Sequence, residues 1–272
     1  MMAFPSERAA AAEAEAGISL GSASIAFGSG PGYLAAAQQG AVPEQDRGPV
    51  LPGLGASDYE RYLHTGELLA LQKAVEVRAH RDELLFQVTH QTAELWLKLA
   101  DDELREATAC LRRDAVMAGT RLLGRASLCL RLVIDGMAML ERMSPWDYSA
   151  IRPNLGHGSG FTSPGFIAVR KATKMLDKEW NRLLERRQVA LADVYRDPAH
   201  FDLYCAAEAM IEWDERLLTW RDQHVRTVIR LIGRGARGTQ GTPVEQLAKL
   251  RDREAVPALW EVRNELSPTH RQ

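Results

Sequence analysis

Apolar residues recur at helical spacing through four long stretches of this chain, and no stretch of useful length shows the two-residue alternation of a strand. That pattern confines the fold to helices packed on helices, so the class is all-α. It predicts long helices over about 80–113, 115–142, 165–187 and 200–233. Ser57 offers an N-cap to a shorter helix over DYERYLHTGELLALQK, with Tyr59, Tyr62, Leu63 and Gly66 on one side. Ser144-Pro145 stops the second long helix and starts a short turn of helix. Two short helices are expected near the end, over about 244–249 and 256–266.

The organisation is one helical domain over residues 57–272, preceded by an extended arm over 1–56. The arm is Ala-rich, then Gly/Ser-rich, with one helical turn expected near Ala9 to Ala16. Its scattered Ile25, Phe27, Tyr33 and Leu34 leave two readings open: docking on another subunit, or a floppy tail.

The 272 residues are 46% hydrophobic, enough for a sizeable core. The net charge of -2 speaks against nucleic acid or an anionic membrane as a general partner. No apolar run approaches the ~18 residues that would span a bilayer, and the N-terminus lacks a basic region followed by an apolar one. Cys110, Cys129 and Cys205 form no CxxC pair and read as small core residues of a cytoplasmic protein.

The stretch HRDELLFQVTHQTAELWLK, His80 to Lys98, is the most informative. Leu84, Leu85, Val88, Leu95 and Leu99 fit one apolar side of a helix. Phe86 and His90, four apart, present a ring and an imidazole on one face beside Gln91, Thr92 and Glu94. A core or capping histidine is the plainer alternative. The irregular stretch Tyr148 to Phe166 carries four glycines and two prolines, which suits close approach of backbone to a ligand.

Among seven histidines, none has a glutamate three residues before it, as a di-metal helical site would require. No HExxH, GxSxG, Walker A or GxGxxG is present. His224 lies on a stripe with Leu217, Trp220, Val228 and Leu231. It could ligate an iron porphyrin with His90 on the other side, or be a satisfied core histidine.

The first stretch, the loop DYSAIRPNLGHGSGF and the segment WRDQHVRTVIRLIG followed by RGTQGT resemble the tryptophan 2,3-dioxygenase superfamily of heme-dependent aromatic oxygenases, in the same order. With YERYLHTGELLALQ they touch most of Asp58 to Thr242. The resemblance implies heme b (iron protoporphyrin IX), with His224 as axial iron ligand and His90 as the distal histidine meeting the indole N–H. It implies that Phe86 lines the indole pocket, that Arg152 clamps the amino-acid carboxylate, and that Tyr148 and Thr239 assist at that end. Ser159 and Gly160 would bring backbone over the oxygen site, with Leu155 nearby. Tyr59 and Tyr62 would reach a neighbouring subunit's pocket in a homotetramer with exchanged N-terminal segments.

The implied substrates are L-tryptophan, or a close aromatic amino acid, and O2, with oxygen inserted at the indole C2–C3 bond. The segment between Phe161 and His224 is shorter than in kynurenine-pathway members, and RGARGTQGT is slightly expanded. Shorter relatives in secondary metabolism deliver a single oxygen atom, to tryptophan or to tyrosine, and that outcome stands as the alternative. A non-catalytic heme protein and a heme-free helical interaction domain are the competing classes.

Overall fold

The computed structural model describes residues 48–239, 241, 243–244, 249 and 251–267. The expected turn near Ala9 to Ala16, the arm residues Ile25, Phe27, Tyr33 and Leu34, and most of the expected helix over 244–249 lie outside the described residues. The chain divides into two compact units between Leu68 and Leu69.

In the first unit, α1 (Asp58–Leu63) starts at a capping box. The Ser57 hydroxyl accepts from the Glu60 amide, and the Glu60 carboxylate accepts from the Ser57 amide at 3.1 Å. The single helix expected here is broken. His64 adopts φ 52°, a left-handed cap that ends α1 before α2 (Thr65–Leu69) begins. Tyr59 and Tyr62 are both well exposed on α1.

The second unit is built on four long helices. α3 (Glu83–Arg112) and α4 (Val116–Leu140) are followed by the short α5 (Pro145–Ile151), which Ser144 caps. Two 3-10 turns, Arg152–Leu155 and Gly160–Thr162, order the Gly-rich stretch. Then come α6 (Pro164–Arg187), the short α7 (Leu191–Arg196), α8 (Phe201–Ile232) and α9 (Pro257–Leu266). Each long helix begins and ends within a few residues of the spacing-based expectation, and Pro145, Pro164 and Pro198 each stand in the first turn of a helical segment. Among the described residues there is no strand, only one isolated bridge between Arg237 and Pro243.

α3 packs against both α4 and α6, and α4 packs against α8. α6 and α8 meet through large side chains. The Trp213 indole donates to the Thr173 hydroxyl at 2.9 Å, and Phe166 stacks on Trp220. The core is Leu97, Leu104, Leu111, Leu123, Leu130, Leu176, Leu183 and Leu203 with Trp180 and Trp213. Each buried leucine contributes roughly 1.5–3 kcal/mol. Asp214, fully buried on α8, anchors the last helix: its Oδ2 accepts from the Ala255 and Val256 amides and the Trp260 indole.

Leu85 of the apolar stripe Leu84, Leu85, Val88, Leu95 and Leu99 packs on a buried cluster, but the stripe is not the main buried face of α3. Val88 and Leu95 are 42% and 50% exposed. The buried face carries Leu97, Ala100, Leu104, Ala107 and Leu111. At 100° per residue that set lies roughly opposite the first. α3 is apolar on two sides, and periodicity alone does not say which side is inward. Phe86 belongs to the inward side.

Candidate functional site

A second, smaller apolar cluster sits at one end of the bundle. Leu140 of α4, Met143, Ile151 of α5 and Leu231 of α8 are buried together, with Leu85, Phe86, Tyr148 and Leu155 packed on them. This cluster forms the floor of a cavity of about 540 Å³. α3 contributes Phe86, His90 and Glu94 to its lining. The Gly-rich stretch contributes Leu155 and residues 158–163, and α8 contributes Trp220, His224 and Val228.

His90 has a defined tautomer. Its Nδ1 lies 2.7 Å from the Phe86 carbonyl oxygen. A carbonyl only accepts, so Nδ1 carries the proton and Nε2 keeps a free lone pair. Burial holds the imidazole below its ordinary range; the Phe86 carbonyl and the Glu94 charge push the other way. The Phe86 ring lies 4.1 Å from the His90 ring and 6.1 Å from Tyr148. Burial also pushes the Tyr148 hydroxyl up, while the charge of Arg152 opposes the shift.

His224 is backed by an aromatic stack. Phe166 lies 3.8 Å from Trp220, and Trp220 lies 5.2 Å from His224 at an interplanar angle of 17°. Burial, with the repulsion of His90, pushes His224 down to about 4. A neutral imidazole therefore lines an apolar cavity at neutral pH, the form that ligates iron. A Cβ placed on Gly160 would come 3.7 Å from His224 Nε2, so the glycine keeps backbone close to that nitrogen.

The loop is pinned from α3. Glu94, one turn beyond His90, accepts from the Ser163 hydroxyl with one oxygen and from the Gly165 amide at 2.9 Å with the other. α3 and the Gly-rich turn are thereby held in register. The Thr239 hydroxyl donates to the Gly158 carbonyl and ties the loop after α8 to the same turn.

Of the residues singled out in the sequence, Phe86, His90, Tyr148, Leu155, Ser159, Gly160, His224 and Thr239 line this one cavity. Arg152 does not. It lines a smaller pocket of about 340 Å³ with Ser149, Pro153, Gly156 and Thr239, and it donates to the Arg237 carbonyl. Thr239 lines both pockets. Tyr59 and Tyr62 belong to the other compact unit. Sequence reasoning missed Phe166, Arg170 and Arg221. Phe166 closes the loop motif and Arg221 stands inside WRDQH, so adjacency to the motifs was the available signal.

The donor set fits an iron porphyrin. One neutral imidazole faces a largely apolar cavity, and neither of its ring nitrogens has a hydrogen-bond partner among the described residues. No cluster of three metal-binding side chains is found among the described residues. Among the described residues no helix is long and apolar enough to cross a membrane.

Residues 46–187 match the family model for tryptophan 2,3-dioxygenase. The chain is 31% identical to tryptophan 2,3-dioxygenase 1 of Ralstonia nicotianae over 266 aligned positions, covering 77% of this chain and 90% of that protein. It is 33% identical to tryptophan 2,3-dioxygenase of Burkholderia pseudomallei, covering 77% of this chain and 86% of that protein. Since 77% of 272 residues is fewer than 266, these relatives carry residues within the aligned span that this chain lacks.

Proposed function

The chain belongs to the tryptophan 2,3-dioxygenase family, and on that premise we propose that it is a heme b enzyme that inserts oxygen from O2 at the indole C2–C3 bond of L-tryptophan. The observation that carries this reading is the pair of neutral histidines on one apolar cavity, His90 with Nε2 open and His224 without a hydrogen-bond partner among the described residues.

His224 would hold the iron. Bound there, the heme supplies the O2 chemistry that no side chain offers. The protein's own part is binding and placement. Nε2 of His90 accepts the indole N–H, which sets the ring's orientation. With its basicity lowered by burial, His90 is an orienting group and not an obligatory base. Phe86, Leu155 and Tyr148 would wall the indole, and Ser159 and Gly160 would bring loop backbone close to the bound O2. Arg152 pairs with the substrate carboxylate, since a buried unpaired carboxylate is costly. Thr239, shared by the two pockets, bridges the indole end to the carboxylate end.

The oxygenase domain spans 57–272 and the arm 1–56. The assembly proposed is a homotetramer with exchanged N-terminal segments, in which Tyr59 and Tyr62 serve a neighbour's pocket. The exposed apolar stripe Val88, Leu95 and Leu99 and the exposed tyrosines support it. Three free cysteines support a cytoplasmic setting.

A second reading is favoured by one specific observation, the residues this chain lacks within the span aligned to its relatives. A less enclosed pocket fits transfer of one oxygen atom, in secondary metabolism, to tryptophan or a related ring. The test is a product mass spectrum after reduced, heme-loaded protein meets L-tryptophan and labelled O2. Two labelled atoms support dioxygenation; one atom supports the second reading. His224→Ala should lose heme, and unchanged heme content would remove His224 as the residue that holds the iron.

A further inference from the structure

Two arginines on the cavity lining have no carboxylate partner among the described residues. Arg170 stands on α6 one turn after Phe166, and Arg221 stands on α8 beside Trp220; both line the cavity. Arg170 donates to the Phe166 carbonyl at 3.1 Å, and Arg221 donates to the Arg253 carbonyl. These bonds orient the guanidiniums without neutralising them. The buried Asp214 attracts Arg221 from a distance, while Arg253 and Arg170 repel it. Elsewhere in the bundle arginines meet carboxylates directly, as Arg125 meets Glu103, Arg186 meets Glu179 and Arg263 meets Glu208. Glu94, the one carboxylate among the described lining residues, is already taken up by Ser163 and Gly165.

The cavity is therefore apolar in its body and carries two uncompensated cations. Arg170 is exposed and Arg221 half-buried, which places the pair at the rim. The complementary ligand is flat and apolar with carboxylates along one edge. We propose that Arg170 and Arg221 form a carboxylate clamp that takes the two propionates of the heme; the assignment rests on the heme reading above. It leaves Arg152, in the adjoining pocket, for the substrate carboxylate. Arginine suits the task because its planar fork binds carboxylate with two parallel hydrogen bonds.

The test is titration of heme-free protein with ferric heme and with heme dimethyl ester, whose propionates carry no charge, followed by Soret absorbance. Wild-type protein should bind the ester at least about tenfold more weakly, as loss of charge-assisted bonds implies. Arg170→Gln and Arg221→Gln should each weaken heme binding, and the double variant should treat heme and ester alike. Lysine at both positions should restore part of the preference. Equal binding of heme and ester by the wild type overturns the clamp, and that comparison decides the matter even if the double variant does not fold. A double variant that keeps the wild-type preference also overturns it. So does one that loses affinity for L-tryptophan while its heme preference stays intact. A Soret band that neither shifts nor sharpens when either compound meets the protein overturns the heme reading itself, and the clamp falls with it.

Discussion

The Nδ1–H of His90 donates to the backbone carbonyl of Phe86, 2.7 Å away and one helical turn back. The same carbonyl would otherwise serve only the helix ladder; here it also sets which imidazole nitrogen faces the cavity. The ring that packs against the imidazole at 4.1 Å and the carbonyl that fixes its tautomer thus belong to one residue.

A lone pair on Nε2 predicts sensitivity to the indole N–H. In wild-type protein, 1-methyl-tryptophan should bind about 2- to 10-fold more weakly than tryptophan, the range of one neutral hydrogen bond of about 0.5–1.5 kcal/mol. In His90→Ala the two ligands should bind equally. Spectral titration of the four combinations measures the coupling, and the same methylation penalty in both proteins would remove His90 from the indole.

Arg152 should act on the amino-acid carboxylate and on little else. Arg152→Ala should raise KM by an amount equivalent to about 2–5 kcal/mol, the range for a buried charge pair that loses one partner. Tryptamine, which lacks the carboxylate, should bind wild type and variant alike. A variant that discriminates tryptophan from tryptamine as well as wild type does would return Arg152 to its bond with the Arg237 carbonyl and nothing more.

Gly165 marks the closest approach of α6 to α3. An added Cβ would meet Glu94 Oε2 and Leu97 Cβ, both at 2.6 Å. Leu97 is core and cannot retreat freely. Gly165→Ala should therefore destabilise by about 1–3 kcal/mol, a fall of several degrees in Tm by calorimetry. It should also disturb the Glu94 clamp on Ser163. An unchanged Tm would mean that α6 shifts without resistance.

Glu83 gives a pH dependence whose sign can be worked out. Its buried carboxylate accepts from Lys73 at 2.5 Å and from the Ala79 amide at 2.8 Å. The Lys73 bond leads in holding it below the ordinary 4.5, with burial opposing. In the unfolded chain the group takes up its proton first as pH falls. The stabilisation is thus fully present above about 4.5 and disappears as pH drops through the folded value. Glu83→Gln should cost about 1.5–3 kcal/mol at pH 7, as for a hydrogen bond to a charged group, and progressively less in acid. Urea midpoints at pH 7 and pH 3.5 test this; an equal gap at both would show that the charge of Glu83 is not what matters.

How much of this was legible beforehand follows from particular residues. Helix boundaries were, because Ser57, Ser144, Pro145 and Pro164 act within a turn of themselves and need no distant partner. The pairing of Phe86 with His90 was, because four residues of helix bring side chains together whatever the surroundings. The break at His64 was not, since the stretch has no glycine there and a left-handed non-glycine cap leaves no compositional mark.

The sequence by itself determined the class and the limits of the long helices, and it supplied the residues proposed for the site, since these rest on local periodicity and on motif strings. Only the tertiary structure decided which of two apolar faces of α3 turns inward, which Arg meets a carboxylate among the described residues and which does not, and that Arg152 opens on a second pocket. Those facts depend on what α4, α6 and α8 place opposite each side chain. Burial and charge compensation are properties of neighbours far apart in the chain, and periodicity within one helix contains no record of them.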